Sequence, residues 1–302
     1  MIPGMLLAFI IGLALIGAGY FFARMALFPS VMTLEDTRKQ AIELGWLVEA
    51  KYEPWAKEAV TVQSPFGYTL SVVYHPVEGS NRTVVISHGI GSSSYGAVKY
   101  AALFHDRGYN VMLYDLRNHG SSGGRNTTFG FYEKYDLKAV IDYAFSRLGP
   151  DGIVGTMGES MGAATTLQHA AIDPRVAFAI ADCPYSDLPE LFAYRLREDF
   201  NLPAFPLIPT ASLAAWMIAR CNFREASPIR CVSQIEQPVL FIHGSGDSYI
   251  PPKMSVDLCS AKTKGISKLY LAPGAGHVES VMRNPVEYDQ QVGAFLAEIG
   301  LN

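Results

Sequence analysis

The sequence has few charged residues and no excess of basic ones. Asp, Glu, Lys and Arg make up 17% of its 302 residues, and the formal net charge is −4. Globular chains are typically about one quarter charged, so this chain has enough apolar residues for a large core. Because a basic surface is the usual footprint of nucleic-acid binding, we predict no nucleic-acid partner.

The sequence also lacks metal, redox and phosphate-binding motifs. None of the four cysteines belongs to a Cys-x-x-Cys pair, and no Gly-rich loop carries the Lys of a phosphate-binding loop. No cluster of His, Cys or carboxylates has the spacing of metal ligands. We therefore predict neither a metal nor a cofactor. Cys221 and Cys231 are near enough in sequence to pair, but we expect free, partly buried thiols.

The first 23 residues contain no charged side chain. Such a run is long enough to cross a bilayer as a helix, so we predict that residues 1–28 form a single-pass membrane anchor. A cleaved signal peptide is the alternative, because residues 17–19 are small enough for cleavage, although no Lys or Arg precedes the apolar core. The side of the membrane stays open, since large domains can be translocated despite flanking positive charge.

After the anchor, the pattern predicts a helical arm and then one large domain. The arm, residues 29–58, is polar and has a helix start at Thr33-x-x-Asp36. In residues 59–302, short apolar runs alternate with helical runs, which is typical of a mostly parallel sheet covered by helices on both faces. The last helix of this domain has the signature of an N-cap at Asn284.

A five-residue motif, Gly158-Glu159-Ser160-Met161-Gly162, organises the domain. An apolar strand-like run precedes it and an Ala-rich helical run follows it. This context is that of a nucleophile elbow, whose sharp turn exposes a strained Ser and demands small residues two positions on either side. The motif predicts that Ser160 is a nucleophile. It also predicts that the Met161 amide, at a helix N-terminus, stabilises developing negative charge.

An activated Ser needs a base, and the base needs an orienting carboxylate. Asp247 and His277 each follow a predicted strand, so both should reach the edge of the sheet where Ser160 lies. The chain order Ser, Asp, His is the order found in one hydrolase superfamily, which favours this pair. Asp182 and Asp187 are rival acids, because they follow the adjacent strand.

Two further assignments complete the predicted site. An oxyanion hole needs a second amide, which we assign to Ile90 in the Gly-containing loop 88–91. His119 lies in a turn that can reach the site and is an alternative base. His88 and His243 lie in His-Gly turns after strands, where structural hydrogen bonds are expected.

A long insertion, about residues 185–237, separates two predicted strands and contains five prolines. Connections this long are usually functional or disordered, and the aromatic and aliphatic content of this one argues against disorder. Residues 213–219 form an apolar helical piece. We predict that the insertion is a cap over the site.

These motifs resemble the α/β-hydrolase superfamily over about residues 59–300. The resemblance is carried by the five-residue motif, His88-Gly89, the run 115–122, His243-Gly244-x-x-Asp247 and Gly276-His277. The anchor and residues 239–252 are similar to the membrane-associated Bem46-like hydrolases, which overlap the serine aminopeptidase-like group. The resemblance implies the α/β-hydrolase fold, with a sheet of about eight strands, and ester, thioester or amide hydrolysis without a cofactor. Asn118 departs from the family, because many relatives have Gly there.

The sequence therefore predicts a serine hydrolase that forms an acyl-enzyme on Ser160, of the carboxylesterase or lipase-like kind. A small-molecule or lipid-like acyl compound is the expected substrate, and the N-terminal helix is the expected contact with a membrane. A serine peptidase of the aminopeptidase type uses the same triad and stays an alternative, as does a catalytically silent binding protein. The sequence indicates no oligomeric state.

Overall fold

The structure is a computed structural model that describes residues 2–302. These residues form the strands β1 (Glu58–Gln63), β2 (Thr69–His75), β3 (Arg82–Ser87), β4 (Asn110–Tyr114), β5 (Ile153–Glu159), β6 (Ala179–Asp182), β7 (Val239–Gly244) and β8 (Ser267–Ala272). The α-helices are α1 (Ile2–Leu27), α2 (Leu34–Glu43), α3 (Glu49–Tyr52), α4 (Ser94–His105), α5 (Glu133–Leu148), α6 (Met161–Ala170), α7 (Leu188–Phe200), α8 (Ala204–Ala219), α9 (Lys253–Ala261), α10 (Ser280–Arg283) and α11 (Pro285–Glu298). Two short 3₁₀ helices, Pro228–Arg230 and Val232–Gln234, precede β7.

The eight strands form one sheet in the order β1-β2-β4-β3-β5-β6-β7-β8. β1 pairs antiparallel with β2, and β2 antiparallel with β4, whereas β3 to β8 run parallel. The predicted fold class, a mostly parallel sheet of about eight strands, is therefore confirmed. Because the carboxyl ends of parallel strands meet at one edge, the loops after β3, β5, β7 and β8 lie together there.

Helices cover both faces of the sheet, as predicted. In β3, Val84 and Ile86 belong to one buried apolar cluster, with residues of α4 and α11. Val85 belongs to the other cluster, with residues of α5 and α6. A strand that is buried on both faces needs apolar residues at consecutive positions, which is why β3 reads as a continuous apolar run.

α1 is long and apolar enough to cross a membrane, over Gly4–Leu27. Most of this stretch is exposed, but its last turns pack along α8. Gly19 lies so close to α8 that an added Cβ would be 2.8 Å from the Cβ of Thr210. Leu27 is fully buried. α1 is thus joined to the rest of the molecule at its C-terminal end.

The arm between α1 and the sheet packs onto β2. α2 begins where predicted, since the Thr33 hydroxyl accepts a hydrogen bond from the Asp36 amide at 3.1 Å. At the end of α3, the Tyr52 hydroxyl is 2.9 Å from Nε2 of His75 in β2. This buried contact joins the arm to the antiparallel side of the sheet.

The insertion between β6 and β7 is built from α7 and α8. The Asp187 side chain caps α7 by accepting a hydrogen bond from the Glu190 amide at 3.0 Å. α8 starts at Ala204, although the sequence predicted its apolar helix only from residue 213. Phe205 has a non-helical ψ of 133°, so the regular part of α8 begins at Pro206, where a backbone N–H has no helical partner. Pro209 lies inside the helix and leaves one helical hydrogen bond unmade.

Asn284 occupies the N-cap position of α11 and Pro285 lies in the first turn, as predicted. The Asn284 side chain, however, makes no cap bond to the start of α11. The side-chain amide donates instead to the carbonyl of Pro273 at 3.2 Å, which holds the loop after β8.

Candidate active site

Ser160 occupies a strained turn between β5 and α6. Its φ of 52° and ψ of −119° lie in a region that residues with a side chain rarely adopt. A Cβ on Gly158 would lie 2.3 Å from the carbonyl oxygen of Gly162, and one on Gly162 would lie 2.3 Å from that of Ser87. Backbone atoms cannot move aside cheaply, so the turn requires glycine at both positions, as the motif predicts.

The side chains of Ser160, His277 and Asp247 form one hydrogen-bonded chain. The Ser160 Oγ is 3.0 Å from Nε2 of His277, a residue 117 positions away. Nδ1 of His277 is 2.7 Å from Oδ2 of Asp247. In this geometry the serine hydroxyl can donate to Nε2 while Nδ1–H donates to the carboxylate.

The two rival acids lie elsewhere. Oδ2 of Asp182 accepts hydrogen bonds from the hydroxyls of Tyr100 and Tyr288, at 3.0 Å each. Burial raises the pKa of Asp182 to about 6, against the lowering effect of the Tyr288 hydroxyl. Asp187 caps α7. Of the three acids, the structure brings Asp247 to the histidine.

His243 holds the Asp247 carboxylate in place; the sequence predicted a structural hydrogen bond for this histidine but not its partner. Its Nε2 is 3.1 Å from Oδ2 of Asp247, and the amides of Tyr249 and Ile250 donate to Oδ1 at 2.8 and 2.9 Å. Burial alone would raise the pKa of Asp247, but the hydrogen bonds from the two histidines outweigh it and hold the pKa well below its usual range. The carboxylate therefore stays charged at neutral pH.

His119 and His88 support the loop after β3. Nε2 of His119 accepts a hydrogen bond from the Gly91 amide at 3.0 Å, and Nε2 of His88 accepts one from the Leu116 amide at 3.0 Å. Burial, helped by the neighbouring His88, lowers the pKa of His119 to about 3. The lone pair that a base would use is thus occupied in His119, and Ser160 meets His277 instead.

Ile90 and Met161 both line one cavity beside Ser160. Among the described residues, neither of their amides has a backbone or side-chain acceptor. The neighbouring Gly89 amide donates to Oε1 of Glu159 at 3.3 Å, which holds the β3 loop against the elbow. Two free N–H groups beside a nucleophile are what an oxyanion hole requires.

A buried ion pair lies beneath the elbow. Nζ of Lys99 is 2.8 Å from Oε2 of Glu159, and both side chains are shielded from solvent. Nζ of Lys99 also donates to the carbonyl of Val278 at 3.1 Å. Lys99 therefore connects the strand that precedes Ser160 to the loop that carries His277.

Cys183 lies near the acid and the histidine, with ligand atoms of the three residues within 4.8 Å of one another. Burial raises the pKa of the Cys183 thiol well above its usual value, and a protonated thiol is a poor metal ligand. Asp247 and His277 also bond to each other. All four cysteines are free thiols, as expected. That the protein uses no metal stays a prediction.

A cavity of about 370 Å³ opens beside Ser160. Phe22 and Ala26 of α1 form part of its wall. The insertion and the loops contribute Phe129, Tyr185, Leu191, Phe192, Leu196, Phe200, Ile208, Ala211, Phe223 and Ile250. The charged side chains among the described lining residues are Arg195 and Asp199, which bond to each other, with Nε 3.1 Å from Oδ2. A largely apolar cavity of this size suits a small apolar ligand.

Proteins similar to this chain match it over most of its length. The chain is 37% identical to the uncharacterized protein YqkD of Bacillus subtilis over 285 residues, which cover 94% of this chain and 93% of that protein. The esterase Pf2001 of Pyrococcus furiosus has a similar structure, with a TM-score of 0.67 and 24% identity over 83% of this chain and 94% of that one. The acylaminoacyl peptidase of Pyrococcus horikoshii shares the fold at a TM-score of 0.61 and 16% identity, over 81% of this chain and 41% of that one.

The family model described as the alpha/beta hydrolase fold matches residues 82–210. This segment runs from β3 into α8 and includes the elbow at Ser160. The sheet order and the elbow geometry agree with the match. The assignment to the Bem46-like group stays a prediction. The chain belongs to the α/β-hydrolase superfamily.

Proposed function

We propose that this protein is a serine hydrolase that cleaves a carboxylic ester through an acyl-enzyme on Ser160. The observation that carries the proposal is the chain of hydrogen bonds from Asp247 through His277 to the Ser160 hydroxyl. The strained backbone of Ser160 adds support, because strain of about 1–3 kcal/mol persists mainly where function requires it. A silent binding protein would need neither feature.

In the acylation step, Nε2 of His277 takes the hydroxyl proton while Ser160 Oγ attacks the acyl carbonyl carbon. The carbonyl electron pair moves onto its oxygen, and the amides of Ile90 and Met161 stabilise the resulting oxyanion. Asp247 fixes the tautomer of His277 and stabilises the imidazolium. When the tetrahedral intermediate collapses, the bond to the alcohol oxygen breaks and His277 gives that oxygen its proton.

In the deacylation step, water takes the place of the alcohol. His277 removes one proton from the water, whose oxygen attacks the acyl carbonyl in the same oxyanion hole. The second intermediate collapses by breaking the bond to Ser160 Oγ, which recovers its proton from His277. The net reaction consumes one water and releases one acid and one alcohol, with no redox change.

The cavity favours an apolar acyl group over a peptide with a free amino terminus. An aminopeptidase needs an available carboxylate for the substrate ammonium group, because a buried unpaired charge is costly. Asp199, the carboxylate in the cavity wall, is already paired with Arg195. Thioesters and amides remain compatible with the same acyl-enzyme chemistry.

We further propose that residues 1–28 anchor the enzyme in a membrane. Residues 29–58 would then connect the anchor to the hydrolase domain, residues 59–302, with the insertion at about 185–237 as its cap. The packing of Gly19 against Thr210 of α8 supports an anchor over a cleaved signal peptide, because cleavage after residue 19 would remove this helix contact.

Full-length protein in detergent micelles tests the reaction class. We expect p-nitrophenyl butyrate to be hydrolysed, and His277→Ala to lower kcat about 10⁴-fold or more while circular dichroism stays unchanged. Aminoacyl p-nitroanilides provide the parallel series. A higher kcat/KM on the anilides would favour the peptidase alternative, and folded protein that turns over neither series would contradict the proposal.

A further inference from the structure

α8 exposes a large apolar surface. The exposed fraction is 78% for Phe205, 58% for Met217 and 57% for Leu213, and residues 204–219 contain no charged side chain. Exposed apolar surfaces of this kind mark contacts with a partner or a membrane. The neighbouring helix indicates which of these covers α8.

α8 runs beside α1 and in the same direction. Gly19 of α1 lies against Thr210 of α8. Beyond this contact, the C-terminal ends of both helices meet the backbone of residues 127–128. The carbonyl of Leu27 accepts a hydrogen bond from the amide of Thr127 at 2.8 Å. The Sγ of Cys221, just after α8, is 3.7 Å from the carbonyl oxygen of Thr128. The N-terminal end of α8 therefore points along the uncharged half of α1.

The position of Gly19 sets the depth of α8 in a bilayer. A hydrocarbon core of about 30 Å takes about 20 helical residues, so a span that begins at Gly4 ends near Ala23. Arg24, the first charged residue, follows directly. Gly19 lies inside this span, and so does Thr210 beside it. α8 extends from there toward its N-terminus, and Phe200 at the end of α7 lies against Phe22 of α1, with ring centres 5.4 Å apart. The exposed charged residues 197–199 that precede α8 therefore stay near the level of the expected bilayer surface.

Arginine–aromatic pairs mark the bilayer surface on both helices. The guanidinium of Arg24 is 5.9 Å from the ring centre of Tyr20 in α1. The guanidinium of Arg220, directly after α8, is 4.6 Å from the ring centre of Trp216. Tyr and Trp are enriched at membrane–water interfaces, and long basic side chains extend from helix ends to the polar headgroups. Both helices therefore have a basic residue beside an aromatic ring at the C-terminal end, and the N-terminal end of α8 is preceded by the charged residues 197–199.

The cavity beside Ser160 is bounded by the same two helices. Phe22 and Ala26 of α1 and Ile208 and Ala211 of α8 all line it. These four positions fall within about two helical turns of the expected bilayer surface. An acyl chain that leaves the bilayer at this point would have a short, apolar path to the serine.

We propose that α8 is embedded in the membrane beside α1, and that the cavity takes the acyl chain of a membrane-resident lipid ester directly from the bilayer. The inference rests on the proposed function, because the occupant is the acyl part of the ester that Ser160 attacks. The bilayer is favoured over a second protein because the surface of α8 continues that of a helix long enough to span it. The pairing of Arg195 with Asp199 leaves no net charge in the cavity wall to oppose an apolar chain.

Depth-dependent fluorescence quenching tests the placement of α8. Full-length protein, with the two partly exposed cysteines changed to serine, receives one new cysteine that carries a nitrobenzoxadiazole label. The vesicles contain phosphatidylcholine and doxyl-labelled phosphatidylcholine. Phe205→Cys and Leu213→Cys report on α8, and Ile10→Cys reports on α1. Ser146→Cys, exposed at the C-terminal end of α5, is the matched control.

Quenching at positions 205 and 213 that approaches the quenching at position 10 supports the proposal. Quenching at position 10 alone, with 205 and 213 no more quenched than 146, overturns it and leaves the anchor intact. Weak quenching at all four positions overturns both the placement and the anchor. Hydrolysis of a soluble short ester, measured on the same samples, shows separately whether the proposed serine chemistry holds.

Acyl-chain preference tests the path into the cavity. Ala26→Phe fills space where α1 lines the cavity, so the ratio of kcat/KM for p-nitrophenyl dodecanoate to that for the acetate should fall at least about tenfold, as loss of two buried methylenes implies. Ala14→Phe, on an exposed part of α1, is the matched control and should keep the wild-type ratio. An unchanged ratio in Ala26→Phe, even with lower rates on both esters, overturns the proposed path.

Discussion

At the scale of single residues, the Asp247 carboxylate accepts four hydrogen bonds, which fix its position. His277 and His243 donate to one carboxylate oxygen, and two backbone amides donate to the other. The carboxylate is therefore fixed in position and charged before substrate arrives. In the proposed mechanism, such preorganisation would let it stabilise the imidazolium without rearrangement.

We expect Asp247→Asn to lower kcat/KM for p-nitrophenyl butyrate about 10³- to 10⁴-fold, because an amide favours the wrong tautomer of His277 and cannot stabilise its cation. Asp187→Asn is the matched control. Asparagine caps a helix about as well as aspartate, so this variant should keep the wild-type kcat/KM. A loss in the Asp187 variant with none in the Asp247 variant would refute the assignment.

Some members of the proposed site could be predicted from the sequence and others could not. The sequence points to Ser160 because its two flanking glycines are a local steric requirement, and to His277 and Asp247 because they follow strands in a known order; their catalytic roles stay predictions. The hydrogen bond from His243 to Asp247 gave no sequence signal beyond a His-Gly turn. Lys99 gave none, because its partner is 60 positions away in a different element.

Asn118 shows how a departure from the family pattern can be conservative. Its φ of 62° lies in the left-handed region, where glycine is the usual residue. Asparagine tolerates this region better than most residues with a side chain. Asn118 can therefore hold this left-handed loop conformation without a glycine.

At the scale of elements, the contact between α1 and α8 depends on a glycine. Gly19→Ala would place a Cβ 2.9 Å from the backbone carbonyl carbon of Thr210, so the helices must separate, at a cost of about 1–3 kcal/mol. Gly17→Ala is the matched control, because a Cβ there meets nothing within 4 Å. We expect a lower Tm for Gly19→Ala in detergent micelles and an unchanged or higher Tm for Gly17→Ala. Equal Tm values would argue against close packing of the two helices.

The contact between the arm and β2 should make stability depend on pH. His75 is fully buried, with Nε2 facing the Tyr52 hydroxyl and Nδ1 facing the Ala56 carbonyl at 3.1 Å. Burial lowers the pKa of His75 to about 4. The unfolded chain then binds a proton near pH 6.5 and the folded chain only near pH 4, so stability falls as the pH drops through this window.

We expect the wild type to lose about 2 kcal/mol of unfolding free energy through His75 between about pH 7 and pH 5. In His75→Gln, this pH-dependent loss of unfolding free energy should be absent, because glutamine does not titrate. Guanidinium unfolding at both pH values measures the difference. If the variant loses as much stability as the wild type, the histidine is not held neutral in the folded state.

Elements were predictable where their signals are local. The strands that are buried on both faces read as apolar runs, and the cap at Thr33 was correct because its hydrogen bond stays within one turn. The start of α8 was wrong because its prolines read as loop, although Pro206 lies in the first turn, where it costs no hydrogen bond, and the helix accommodates Pro209 inside it. The helix boundary at Asn284 was also correct, but the expected side-chain cap bond is absent because the Asn284 amide donates to the carbonyl of Pro273 instead.

At the scale of the whole molecule, the sheet order explains how distant residues meet. Parallel strands β5, β7 and β8 end at one edge, so the loops after them bring Ser160, Asp247 and His277 together. The insertion and α1 close over the same edge and build the cavity wall. The chemistry proposed for the site and the membrane contact proposed for α8 therefore depend on a single side of the molecule.

The measurement that tests this account most directly is labelling with a fluorophosphonate, followed by mass spectrometry of the tryptic peptides. An activated serine reacts with this probe, so we expect a single adduct on Ser160 in the full-length protein and none in Ser160→Ala or in heat-denatured wild type. Folded wild-type protein that stays unlabelled, or that carries its adduct on another residue, would contradict the proposal that Ser160 is the nucleophile.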